Sequence, residues 1–141
     1  MVPAGKIPLV LSVDDVNYYE YMNEDGFARK LLLDENGDVK NLYVDKDGRE
    51  LIGDYDVVPI LDSFVKEHPD FSLRGAKGII ALTGYEGTLG YRTNNPESET
   101  YEQDKADAKA VAERMLETGW LFAVHGWGHR DAAKMTLGHL K

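Results

Sequence analysis

The sequence predicts an α/β fold in which parallel β-strands are joined by crossover helices. Three short apolar runs, at residues 7–13, 78–83 and 121–124, predict strands, and the first two have the composition of buried strands. Two other segments, 55–71 and 104–118, place apolar residues at helical spacing. Because strands and helices alternate along 141 residues, we expect a single domain built on a parallel sheet.

The composition narrows the classes of partner. Sixteen basic and 25 acidic residues give a formal net charge of −9, which disfavours nucleic acid. No apolar run approaches the roughly 18 residues of a membrane span, and the first residues have the pattern of a strand rather than of a signal peptide. Because there is no cysteine, any metal ion must be held by histidine and carboxylate side chains.

The first predicted strand ends at Asp14-Asp15, and the aromatic segment after it, residues 16–27, fits either a helical turn or a loop. Residues 28–51 predict a β-hairpin insertion, because Asn-Gly and Asp-Gly pairs favour tight turns. We interpret its acidic turns as solvated rather than as calcium sites, since Val39 stands where an EF-hand loop needs glycine.

The first predicted helix, 55–71, accepts Pro59 in its first turn. A polar, glycine-rich loop follows the second strand at residues 84–99 and is of the kind that often carries function. The second helix, 104–118, is expected to stop at Gly119 and to turn three apolar side chains inward: Val111, Met115 and Leu116.

Residues that can bind metal follow the first and third strands. Asp14 and Asp15 end the first strand, and His125 and His129 follow the third. Because ligands of parallel α/β folds gather at the carboxyl ends of strands, we expect these four side chains to meet at one rim. Histidines four positions apart share a face of a helical turn, and two histidines with a carboxylate are a recurrent metal-ligand set. One of the two aspartates would bind the ion and the other would accept a proton from water, and the pattern allows either assignment.

Each half of this pattern has an alternative interpretation. Paired aspartates after a strand are more often loop acids or helix caps, and an isolated His-x-x-x-His is a weak signal. His68 and His139 lack a comparable partner and are interpreted as surface residues.

The sequence around both strand ends resembles a known family. LVLSVDDVNYY, residues 9–19, resembles the first motif of polysaccharide deacetylases, the NodB-homology domain of carbohydrate esterase family four, in which a strand ends in a Thr-Phe-Asp-Asp type sequence. HGWGHRD, residues 125–131, resembles the second motif, a His-Ser/Thr-x-x-His sequence after a helix and a glycine turn. Members of this family fold as a distorted (β/α) barrel and use a divalent metal to remove N-acetyl groups from chitin-like glycans or peptidoglycan.

The resemblance implies a role for each residue. Asp14 would be the catalytic general base, and Asp15, His125 and His129 would be the metal ligands. The ion would be divalent, zinc in the first place, with cobalt, manganese, iron or nickel as alternatives. The substrate would be a polysaccharide, and the full-length protein would be extracellular or at the cell surface.

The chain also departs from the family pattern. Ser12-Val13 replaces Thr-Phe, Gly126 replaces a serine or threonine, and the hairpin at 28–51 is an insertion. The family's later motifs, which include an arginine and a histidine general acid, have no counterpart after His129. We therefore expect residues 1–141 to be the first portion of the barrel, a single domain truncated at its C-terminal side.

Five further side chains are candidates for substrate binding. The rings of Tyr18, Tyr19 and Trp127 could stack on sugars, with core packing as the alternative. Arg92 or Arg130 could substitute for the missing family arginine, with ordinary solvation as the alternative.

Two other functions fit the same sequence: a non-catalytic carbohydrate-binding module that retains a deacetylase-like metal site, and a different metallohydrolase on an alternating α/β sheet. A parallel sheet that stops after three strands also exposes an edge that invites pairing with another chain. We therefore expect self-association.

Overall fold

The computed structural model describes residues 2–23, 25–136 and 138. Within them the chain forms a mixed α/β structure with one parallel and one antiparallel sheet, each of three strands. The strands are, in chain order, β1 (Ser12–Asp14), β2 (Lys30–Leu33), β3 (Val39–Val44), β4 (Glu50–Gly53), β5 (Ile79–Leu82) and β6 (Leu121–Val124). The α-helices are α1 (Val57–Glu67), between β4 and β5, and α2 (Tyr101–Glu117), between β5 and β6.

The parallel sheet has the order β1-β5-β6, with β5 in the centre. The predicted parallel pairing is confirmed, but the first strand is shorter than predicted. It begins at Ser12, which pairs with Ile79, the first residue of β5. Ile7 and Leu9 are accordingly exposed rather than buried. Across the described residues this sheet is open at both edges and does not close into a barrel.

Only one face of the parallel sheet is covered. Val13, Ile80 and Phe122 lie in register and belong to or pack against the hydrophobic core. Side chains of β6 on the other face are exposed, as Leu121 at 58% shows. Strand β6 is therefore an edge strand with one bare face, whereas the strands of parallel sheets are usually buried on both faces.

The predicted hairpin is a three-stranded antiparallel meander, because β3 pairs with β2 on one side and with β4 on the other. The acidic turns are closed by their own side chains. Oδ1 of Asp34 accepts the N–H groups of Asn36 at 2.8 Å and Asp38 at 2.9 Å. The carboxylate of Asp45 accepts the backbone N–H of Arg49 and pairs with its guanidinium. These bonds account for the acids as turn residues.

Helix α1 begins where the carboxylate of Asp56 accepts the N–H of Val57, and Pro59 lies in its first turn as predicted. The only regular element described between β1 and β2 is a single 3-10 turn, Glu20–Met22. No described helix is long and apolar enough to cross a membrane.

Helix α2 packs against both sheets, since it contacts β2 and β3 as well as β6. Val111 and Met115 are buried as predicted. Leu116 is 51% exposed, so its predicted inward orientation is wrong. One residue is about 100° of helix rotation, and with Met115 pointing inward its successor points aside.

Candidate metal centre

The central strand β5 positions the backbone of both halves of the predicted site. The N–H of Asp15 donates to the carbonyl of Ala81 at 3.1 Å, and the N–H of His125 donates to that of Leu82 at 2.8 Å. These acceptors are consecutive residues, so Asp15 and His125 leave the sheet side by side at the carboxyl ends of β1 and β6. The predicted meeting of the two strand ends is confirmed.

The two consecutive aspartates both approach the same imidazole. Side chains of neighbouring strand residues normally point to opposite faces. Asp14 is the last residue of β1, whereas Asp15 has a left-handed backbone with φ of 57°. As a result, Oδ2 of Asp14 and Oδ2 of Asp15 each lie 4.0 Å from Nε2 of His125.

The two histidines are brought together by a tight turn and not by a helix. Gly126 has φ of 85° and His129 has φ of 48°, conformations that no right-handed helix contains. The expectation that the pair shares one face of a helical turn is therefore wrong in its geometry. The turn nevertheless places the two imidazole centroids 5.5 Å apart.

Asp15, His125 and His129 form a group whose donor atoms all lie within 4.8 Å of one another. Oδ2 of Asp15 is 3.1 Å from Nε2 of His129 and 4.0 Å from Nε2 of His125. Tetrahedral ligands at about 2.1 Å from an ion are about 3.4 Å apart, so these distances are compatible with one ion held by three side chains. Asp14 lies beside the group, with its side chain 62% exposed.

The buried hydroxyls of Tyr19 and Thr83 form a hydrogen-bonded pair behind Asp15, which the sequence pattern did not reveal. The hydroxyl of Tyr19 donates to Oδ1 of Asp15 at 2.8 Å and lies 3.0 Å from Oγ1 of Thr83. Its ring is near-parallel to that of His129, with centroids 5.9 Å apart. Burial raises the pKa of Tyr19 to about 12, so its hydroxyl remains a proton donor at neutral pH. The spacing of Asp15 and Tyr19, four residues apart after a strand end, was the available signal.

Tyr18 and Tyr19 are core residues rather than sugar platforms. Tyr18 is 3% exposed and its hydroxyl accepts a hydrogen bond from Asn41, while Tyr19 is 2% exposed. A sugar cannot stack on a ring face that is already covered, so the core-packing alternative accounts for both.

Three exposed aromatic rings lie near Tyr19 or in the turn between the two histidines. Trp127 is 76% exposed, and its ring lies on Gly84, where an added Cβ would come within 2.3 Å of the indole. Tyr21 and Tyr85 were not singled out in the sequence, yet both are exposed and both rings contact that of Tyr19. Tyr85 also lies 6.4 Å from the ring of His129.

The two candidate arginines differ in their surroundings. Arg92 donates to the carbonyl of Glu86 at 2.6 Å and to that of Tyr18 at 2.7 Å, so its guanidinium ties two backbone segments together. Both terminal nitrogens of this guanidinium are therefore bonded to backbone carbonyls and not to Asp14. Arg130 is exposed beside His129 and stays a candidate. His68 is exposed as expected, and His139 lies outside the described residues.

A cavity of about 290 Å³ beside α1 and the end of α2 is lined by none of the residues Asp15, His125 and His129. Its walls include Lys77, which pairs with Asp62 at 2.5 Å, and Arg114, which donates to the carbonyl of Gly37. Because these charges are already paired within the protein, we assign the cavity no chemistry.

Comparisons with family models, curated proteins and solved structures yield no match. The resemblance to polysaccharide deacetylases therefore rests on the two sequence motifs alone.

Proposed function

We propose that this chain carries the metal site of a metal-dependent polysaccharide N-deacetylase that removes N-acetyl groups from peptidoglycan or a chitin-like glycan. The observation that carries the proposal is the meeting of both motif ends at one edge of a parallel sheet. Asp15, His125 and His129 form the donor group there, and Asp14 stands beside it. A glycan substrate of this kind would lie outside the cell or at its surface.

Three of these residues would hold a metal ion, and the fourth would accept a proton. Asp15, His125 and His129 would hold a divalent ion, zinc in the first place, while their partly exposed side chains leave room for substrate. A bound divalent cation polarises a carbonyl and makes water more acidic. Asp14, exposed and outside the donor group, would take the proton of the attacking water, which is the general-base role implied by the family motif.

The open parallel sheet supports the proposal that its strands belong to a (β/α) barrel. Two unpaired edges and a bare face opposite the helices are what the first strands of a (β/α) barrel would present before closure. Residues of the bare face, such as Asp14, would then face the barrel interior.

The exposed rings of Tyr21, Tyr85 and Trp127 support a carbohydrate ligand. Aromatic faces pack against the apolar faces of sugar rings. The ring of Tyr85 lies 6.4 Å from that of His129, Tyr21 contacts Tyr19, and Trp127 lies in the turn between the two histidines.

A non-catalytic carbohydrate-binding module is the second candidate. The observation that favours it is the position of Arg92, whose guanidinium is bonded to backbone carbonyls and does not support Asp14. A third, less specific candidate is another metallohydrolase with the same ligand set.

Titration with Zn²⁺, followed by calorimetry, tests the metal centre. We expect one ion per chain for the wild type and at least a tenfold weaker affinity for His125→Ala and His129→Ala. His68→Ala, an exposed histidine after α1, is the matched control and should bind as the wild type does. Equal affinity in all four proteins would place the ion elsewhere and remove the metal centre.

Acetate release from an N-acetylated chito-oligosaccharide tests the activity. Asp14→Asn should lower the rate by about 10²-fold or more, because a positioned base contributes at least that much, and it should still bind Zn²⁺. Equal rates for wild type and variant would exclude Asp14 as the base. Oligosaccharide binding without acetate release by either protein would favour the binding module.

A further inference from the structure

Asp15 is held by two hydrogen bonds, one through its backbone and one through its carboxylate. Its backbone N–H donates to Ala81 of β5, and its Oδ1 accepts the hydroxyl of Tyr19 at 2.8 Å. The other oxygen, Oδ2, is the one that faces Nε2 of His129 at 3.1 Å. The two oxygens of this carboxylate therefore have different surroundings.

The direction of the hydrogen bonds follows from counting protons. An ionised carboxylate only accepts, so Tyr19 must use its single hydroxyl proton for Asp15. The contact of 3.0 Å between the Tyr19 and Thr83 hydroxyls must then be a bond donated by Thr83. Thr83 directly follows β5 and is 5% exposed, while Tyr19 is 2% exposed. Water therefore does not compete strongly for either hydroxyl.

The ring of Tyr19 also contacts two neighbouring rings. It is near-parallel to the ring of Tyr21, with centroids 5.6 Å apart, and to that of His129, with centroids 5.9 Å apart. The same side chain thus contacts two members of the donor group: Asp15 through its hydroxyl and His129 through its ring.

We propose that Tyr19 is a positioning residue that engages Oδ1 of Asp15, so that this aspartate offers only Oδ2 to a metal ion, with Thr83 setting the direction of the hydrogen bond. The inference rests on the proposed metal centre and adds the coordination mode of its carboxylate. A carboxylate without this partner can turn and bind through both oxygens, which would occupy a position that substrate or water needs.

Zn²⁺ affinity and the visible spectrum of the Co²⁺-loaded protein test this inference in matched variants. Tyr19→Phe and Thr83→Val should bind Zn²⁺ about 10- to 100-fold more weakly, the range typical of lost partners behind a metal ligand. Thr83→Ser keeps the donor hydroxyl and should restore affinity close to that of the wild type. Tyr43→Phe, in β3, is the control for removing a tyrosine hydroxyl elsewhere.

The Co²⁺ spectrum separates positioning from a general loss of stability. Four-coordinate Co²⁺ absorbs visible light much more strongly than five- or six-coordinate Co²⁺. The absorption of Tyr19→Phe should therefore weaken at saturating metal as Asp15 binds through both oxygens. If Tyr19→Phe does not fold, Thr83→Val carries the test, because it leaves the ring stack in place.

The outcomes distinguish the two proposals. Failure of the wild type to bind either ion at His125 and His129 overturns the metal centre and this inference together. Binding by the wild type, with unchanged affinity and spectrum in both Tyr19→Phe and Thr83→Val, overturns only the role of Tyr19.

Discussion

Asp15 and His129 both have left-handed backbones, with φ of 57° and 48°. Left-handed conformations are costly for residues other than glycine, asparagine and aspartate, and they tend to cluster at functional sites. Here each one turns a side chain back towards the donor group just after a strand or within a turn. The backbone at these two positions therefore directs the side chains as much as their rotamers do.

Substitutions at Asp15 should separate the backbone cost from ligand loss. Asp15→Asn tolerates the left-handed conformation and keeps an acceptor for Tyr19, so we expect the free energy of unfolding to change by less than about 0.5 kcal/mol. Asp15→Ala should lower it by roughly 1–2 kcal/mol because it loses both. Chemical denaturation measures the difference. Asp15→Gly lacks the side chain but permits the conformation, so an Ala variant more stable than the Gly variant would contradict the backbone argument.

The loop after β5 is an ordered element although it has almost no regular secondary structure. Asn17 is completely buried, and its amide donates to the carbonyls of Thr83, at 3.1 Å, and Gly87. Arg92 bonds the carbonyls of Glu86 and Tyr18. These side chains fasten the loop to the segment after β1, which holds Asp15 and Tyr19 in place.

Arg92→Lys should loosen this loop. A lysine keeps the charge but cannot span two carbonyls with a planar fork, so we expect the free energy of unfolding to fall by about 1–2 kcal/mol. Limited proteolysis should show faster cleavage within residues 84–99. Arg130→Lys, at an exposed position, is the control and should change neither quantity. Wild-type stability and cleavage for Arg92→Lys would show that these two bonds do not hold the loop.

At the scale of the whole molecule, the main feature is a parallel sheet with helices on one face only. Parallel sheets are usually covered on both faces. Leu121, on the bare face of the edge strand β6, is 58% exposed. Val124, the last residue of that strand, is 87% exposed. An edge with unpaired backbone groups and exposed apolar side chains favours pairing with another chain.

We therefore expect the isolated chain to self-associate, with an average mass in light scattering that rises with concentration. Leu121→Lys should reduce the association, because a charge on an edge strand opposes pairing. Leu116→Lys is the matched control, since Leu116 is similarly exposed but lies on α2. A monodisperse monomer of the wild type at high concentration would contradict the expectation.

Local patterns in the sequence were sufficient to predict most helices and strands and the candidate metal ligands. Periodicity located both helices and all three parallel strands, and Asp15, His125 and His129 were identified from their positions after two of those strands. This worked because the carboxyl ends of parallel strands meet at one edge whatever the sequence between them. The length of β1 and the exposure of Leu116 and β6 were not predicted, since they depend on which neighbouring elements are present to pair or pack.

The sequence by itself determined the α/β alternation and the residues able to bind a metal, because spacing and residue type are local properties. Only the tertiary structure decided how those residues are used. It showed that a turn joins His125 to His129, that Asp15 turns back towards them, and that Tyr18 and Tyr19 are buried while Tyr85 is open. It also revealed the bond from Tyr19 to Asp15 and its contact with Thr83. Burial and hydrogen bonding between distant residues arise from packing, and no pattern along a single chain segment records them.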